Sequence, residues 1–140
     1  PSGVRMLLVM VSGVVGAFAV AAATLPYGYL VLFPENHLLA VVCSVATGLI
    51  PLVTFILLRP FLNLQKNFSN LTVQKLALIS VTYAAINAIT QQLIIHAFIQ
   101  TKTLLNPMLV MFTGDILGIA IVLYILRIVG KVLRQRQVIE

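Results

Sequence analysis

Charge is scarce in this sequence. Of 140 residues only 9% are charged and three are acidic; there is one cysteine and no tryptophan. A soluble domain usually carries about 25% charged residues, so the shortfall excludes a globule that must keep its surface wet. The single cysteine, Cys43, excludes an intrachain disulfide and a cysteine-rich metal site, and it leaves the redox compartment unread. Glycine patterns that cradle phosphates or dinucleotides are absent. A Ser-His-Asp set would draw on Ser44 or Ser80, His96 and Asp115, with no nucleophile-elbow sequence around either serine. These gaps point away from an enzyme and from any cofactor or bound metal.

What the chain does have is apolar length. Hydrophobic residues make up 61% of it and the mean hydropathy is +1.10. Roughly 20 apolar residues cross the about 30 Å hydrocarbon core of a bilayer. The sequence supplies four such runs, at about residues 6–25, 38–58, 73–98 and 107–127, and a basic tail at 128–140. The expected fold is an all-α integral membrane four-helix bundle, a single transmembrane domain over residues 1–140. Residues 21–23, all alanine, resemble a signal-peptide cleavage region, but the first run is too long for one and further spans follow. Residues 25–37, bracketed by Pro26 and Pro34, read as a kinked continuation of the first helix or a re-entrant cap. Pro51 is expected to kink the second span, and Pro107 suits the first turn of the fourth. The chain starts at Pro1 without an initiator Met, which reads as a processed or partial form.

The net charge of +6 would suggest nucleic acid in a soluble protein. Here the basic residues flank apolar runs, so membrane orientation accounts for them and no nucleic-acid partner is expected. Arg5, Arg59, Lys66, Lys75, Arg127, Lys131, Arg134 and Arg136 fall on one side and Lys102 alone on the other. Arg59, Lys66, Arg127, Lys131, Arg134 and Arg136 therefore read as topology anchors. Both termini are expected in the cytoplasm, and a bacterial inner membrane is the expected location. Two glycosylation sequons at residues 67–72 lie on that cytoplasmic side and read as chance matches.

Asp115 is the only acidic residue inside a span. A carboxylate at mid-bilayer costs at least about 2.5–3.5 kcal/mol, so it must face protein or water, or stay protonated. Two readings stand side by side: a proton, cation or ligand site, and a hydrogen bond that locks two helices. No basic residue in the spans falls at comparable depth by sequence count. Tyr83, Asn87 and Gln91 recur at four-residue intervals and share one helical face, from which Asn87 or Gln91 can reach Asp115. That face reads as a structural polar seam or a ligand pocket. His96 reads as an interfacial residue, with His37 its only histidine companion. Small residues at helical spacing (Gly13 with Ala17, Ser44 with Gly48, Gly114 with Gly118) mark faces for close helix packing.

The string Gly114-Asp115-Ile116-Leu117-Gly118 in a final span with a basic exit resembles the close of a bacterial membrane-associated sensor domain of the first, MASE-type, family. The preceding layout is also similar: a span ending in Leu57-Leu58-Arg59, a polar loop, then a span with small and amide residues. The resemblance covers residues 38–136. It implies an all-helical sensory module placed ahead of cytoplasmic signalling domains, with Asp115 as the matching motif residue. The chain departs from that family in having half the expected spans, and Val110, Met111, Phe112 and Thr113 stand where aromatic residues are expected.

Two functional expectations follow. One is a non-catalytic accessory subunit that packs through its small-residue faces against other membrane subunits or a second copy of itself. The other is a sensory or transport-like module that uses Asp115 and the Tyr83-Asn87-Gln91 face. The shortness of the chain, which leaves little material to enclose a cavity, favours the first.

Overall fold

The computed structural model describes residues 2–64, 72–100 and 103–136, with the side chains of residues 126 and 129–136 left aside. Every regular element among these residues is helical: α1 (Ser2–Tyr27) with a π-helical turn (Gly28–Leu32), α2 (His37–Phe61), α3 (Val73–Ile99) and α4 (Leu105–Arg136). Four helices are long and apolar enough to cross a membrane. Lys66 and Lys102 lie outside the described residues, as do the two sequons except for Thr72, and so do the side chains of Lys131, Arg134 and Arg136.

Local sequence explains most boundaries. The Leu39 N–H donates to Asn36 Oδ1 at 3.1 Å and the Lys75 N–H to Thr72 Oγ1 at 3.4 Å, so a short polar side chain caps the start of α2 and of α3. Gln100, at φ 49°, ends α3 with its N–H on the His96 carbonyl. Helix α1 runs through Pro26 and widens into the π turn, closed by Phe33 N–H on Gly28 O at 2.9 Å. The continuation of the first helix is thus the form that residues 25–32 take. Helix α2 continues through Pro51 and also through Pro60, past the expected stop at Arg59. Helix α4 carries on from its apolar part to Arg136, so the tail prolongs it.

The first expected span is where the backbone departs from the sequence pattern. Gly13 has φ 57° and ψ −129°, a conformation that glycine adopts freely and side-chain-bearing residues do not. It breaks α1 into two arms that fold against each other. A Cβ on Gly16 would lie 2.6 Å from the Leu8 carbonyl oxygen and 3.0 Å from Val9 Cα, an approach impossible eight residues apart in a straight helix. At about 1.5 Å per residue, residues 2–12 reach about 16 Å, roughly half of a hydrocarbon core, whereas residues 14–32 reach about 28 Å. A straight crossing helix over residues 6–25 is therefore replaced by a hairpin.

The short first arm is the centre of the bundle. Met6 and Met10 of this arm join Ile50 of α2, Ile79 and Tyr83 of α3 and Ile119 of α4 in the main buried cluster, which Leu64 closes. Val9 packs with Ala17 and Val20 of the second arm. Ser2 and Gly3 are both buried against α4, where a Cβ on Gly3 would fall 2.8 Å from Ile119 Cα. Helix α4 is the most peripheral helix: 6% of its most apolar stretch is buried, against 33–44% for the other three.

Candidate functional site

The polar side chains of α3 face inward. Tyr83 and Asn87 are fully buried and Gln91 is 5% exposed, as their four-residue spacing requires when one face of α3 meets the bundle. They do not share one partner. Asn87 donates through Nδ2 to Asp115 Oδ2 on α4. Gln91 turns the other way, to α2, and donates through Nε2 to Thr47 Oγ1 at 2.7 Å and to the Cys43 carbonyl at 3.1 Å. Thr47 Oγ1 in turn donates to the Cys43 carbonyl one helical turn back, at 2.7 Å. The seam thus ties α3 to two helices at once.

Among the described residues, two buried polar atoms of this seam, Tyr83 OH and Asn87 Oδ1, find no hydrogen-bond partner, and nor does Thr54 Oγ1 of α2. Such atoms are rare inside folded chains. They mark the interior as polar beyond what packing alone uses.

The first arm of α1 completes the site, and no local sequence signal announces it. Ser2 Oγ donates to the Asp115 backbone carbonyl at 3.0 Å. Ser80 Oγ donates to the Leu76 carbonyl at 2.8 Å and touches Met6 Sδ at 3.7 Å. Arg5 is half-buried, within electrostatic reach of both Asp115 and Tyr83. The sequence count gave Asp115 no basic companion at its depth; the hairpin at Gly13 supplies one. The same fold sets Arg5 near Asp115 and not beside Arg127. Arg127 lies twelve residues beyond Asp115, about 18 Å further along α4.

Arg5 also lines a half-open cavity of about 290 Å³, toward the Phe33 end of the bundle. Helical side chains lean toward the helix N-terminus, which carries the guanidinium of Arg5 back to that end. Cys43, Ser44, Thr47 and Gln91 form its polar wall, and Leu32, Phe33, Ile95 and Met111 its apolar one. Asp115 does not line it; Met111, one turn before Asp115 on α4, does. Cys43 and Arg5 stand out neither by motif nor by spacing, though the i, i+4 pair Cys43/Thr47 opposite Gln91 is a faint signal.

The small residues divide into two groups. Gly48 is a true crossing point: an added Cβ would collide with the Ala17 carbonyl oxygen and sit 3.0 Å from the Ala21 side chain. Gly118 is another, with Ser2 Oγ 2.8 Å from its Cβ position. Ser44 faces Gly28 of the π turn, 3.4 Å from that glycine's Cβ position. At Gly13 and Gly114 an added Cβ would have nothing within 4 Å among the described residues, so neither packs against them: Gly13 makes the bend, and Gly114 faces outward.

Among the described residues no three His, Cys, Asp or Glu side chains converge. His37 stacks obliquely on Tyr29, ring centroids 5.1 Å apart, near the π turn. No family model, curated protein or solved structure matches the chain.

Proposed function

We propose that the chain is a non-catalytic, multi-pass membrane module of sensory type, which takes up a small ligand in the cavity beside Arg5 and Gln91. One observation carries this reading: a half-open cavity of about 290 Å³ with a polar side formed by Arg5, Cys43, Ser44, Thr47 and Gln91 and an apolar side opposite. Ligand sites are concave, mostly apolar and equipped with a few convergent polar groups. Short as the chain is, it forms such a cavity, and Arg5 lies within electrostatic reach of Asp115. From the cavity, Gln91 and Asn87 lead along α3 to Asp115, and α4 runs on from there to Arg136, about 32 Å of helix. That stretch gives a bound ligand a lever to act on. Basic residues flanking the apolar spans favour a cytoplasmic exit at Arg127, in a bacterial inner membrane.

The sole cysteine makes the test direct, because Cys43 lines the cavity. In membrane vesicles a small uncharged thiol reagent should modify Cys43, and Ser44→Leu, which fills the cavity, should slow that modification several-fold. Equal rates in the two proteins would remove the cavity as a site.

A second reading has its own support. The sparse burial of α4 leaves a long apolar face for lipid or for another membrane subunit, as an accessory subunit or homo-oligomer needs. Extraction in mild detergent followed by identification of co-purifying chains tests it; a lone monodisperse species counts against it.

A further inference from the structure

We infer that the cavity beside Arg5 is a site for a small monoanionic carboxylate with a short apolar tail. The inference rests on the ligand-binding reading above and names the chemistry of its ligand. Among the described residues Arg5 is the only lysine, arginine or carboxylate side chain on the cavity wall. It makes no hydrogen bond or ion pair with another described residue. Asp115 acts on it through space, but the Asp115 carboxylate is held by Asn87 and lies off the wall. A guanidinium in apolar surroundings favours an anion in proportion to its loss of water, and its planar fork matches a carboxylate in two parallel hydrogen bonds.

The rest of the wall sets the remaining properties. One guanidinium fork holds one carboxylate, and a dianion would bring a second charge with no charged donor on the wall. The Gln91 amide donates to Thr47 and to the Cys43 carbonyl, so it is occupied and leaves Arg5 as the principal recognition group. Leu32, Phe33, Ile95 and Met111 give the far wall a surface for a hydrocarbon tail. A cavity of about 290 Å³ limits that tail to a few carbons. A phosphate ion satisfies Arg5 but leaves the apolar wall uncovered.

Cys43 reports on the site in the full chain reconstituted in liposomes. Three methanethiosulfonate reagents are compared, one anionic (sulfonatoethyl), one cationic (trimethylammonioethyl) and one uncharged (methyl), each rate normalised to a free thiol. The anionic reagent should outpace the cationic one on the order of tenfold, the effect of one nearby charge in a partly wet site. Arg5→Gln should erase that preference. Hexanoate should protect Cys43 from the uncharged reagent, whereas inorganic phosphate, hexylamine and hexanol should not. Arg5→Lys, which keeps the charge and loses the fork, should keep the preference for the anionic reagent but weaken hexanoate protection. This arm holds even if Arg5→Gln fails to fold. A cationic preference, a preference unchanged in Arg5→Gln, or no protection by hexanoate overturns the inference. Protection by hexanol or hexylamine alone overturns it while leaving a ligand site in place. Protection by phosphate equal to that by hexanoate replaces a carboxylate site with a general anion site. Failure of the uncharged reagent to reach Cys43 removes the cavity as a site, and the inference with it.

Discussion

Ser2 and Asp115 stand 113 positions apart in the chain, yet the Ser2 hydroxyl donates to the Asp115 carbonyl at 3.0 Å. This contact closes the bundle, joining the first turn of α1 to the middle of α4. It exists only because Gly13 turns the first arm back, so that Met6 and Met10 fill the centre and Arg5 comes into reach of Asp115.

The bend gives the first prediction. At φ 57° and ψ −129° a side chain at position 13 is strained although the space around it is open. Gly13→Ala should lower stability by about 1–3 kcal/mol through backbone strain alone. Gly114→Ala, also in open space but within a regular helix, should be neutral or slightly stabilising. Thermal unfolding in detergent compares the two; equal behaviour would show that α1 is straight at Gly13.

Gly48 tests helix packing. Its Cβ position meets the backbone oxygen of Ala17, which cannot swing aside as a side chain does. Gly48→Ala should therefore separate α1 from α2 and destabilise by about 1–3 kcal/mol, as overpacking does. Gly118→Ala meets the movable Ser2 hydroxyl and should cost less. A reversed order in unfolding midpoints would contradict the crossing at Gly48.

The Asn87–Asp115 pair is a matter of partners. Interhelical hydrogen bonds in membranes average about 0.6 kcal/mol and reach about 1.7. Asp115→Asn, which keeps a polar partner for Asn87, should cost at most that much. Asn87→Leu should cost more, because it leaves the carboxylate without its amide. The double variant Asn87→Leu with Asp115→Leu should recover part of the loss. A double-mutant cycle with zero coupling would show that the two side chains do not meet.

Tyr83 carries a prediction of opposite sign. Its hydroxyl is buried and has no partner among the described residues, and such a group costs about 1–3 kcal/mol in desolvation. Tyr83→Phe should be neutral or stabilising in the ligand-free protein. A clear loss of melting temperature would mean that the hydroxyl is bound.

Much of the architecture was legible in the residues. The apolar runs gave helices whose ends agree with α2, α3 and the start of α4 within a few residues, because hydrocarbon length and capping are local properties. The four-residue spacing of Tyr83, Asn87 and Gln91 placed them on one buried face, and an amide on that face reaches Asp115. What spacing alone left open was the choice between Asn87 and Gln91, since the two residues lie on the same stripe. Only the position of Thr47 and Cys43 on α2 decides that Gln91 turns there.

By itself the sequence determined that the chain is helical, apolar and polar along one internal seam, for composition and period are carried residue by residue. Tertiary structure alone decided that Gly13 bends rather than packs, that Arg5 comes within electrostatic reach of Asp115, and that a cavity opens beside Cys43. A glycine's conformation and the meeting of distant residues depend on how the arms fit together in space, and no periodicity along the chain records that fit.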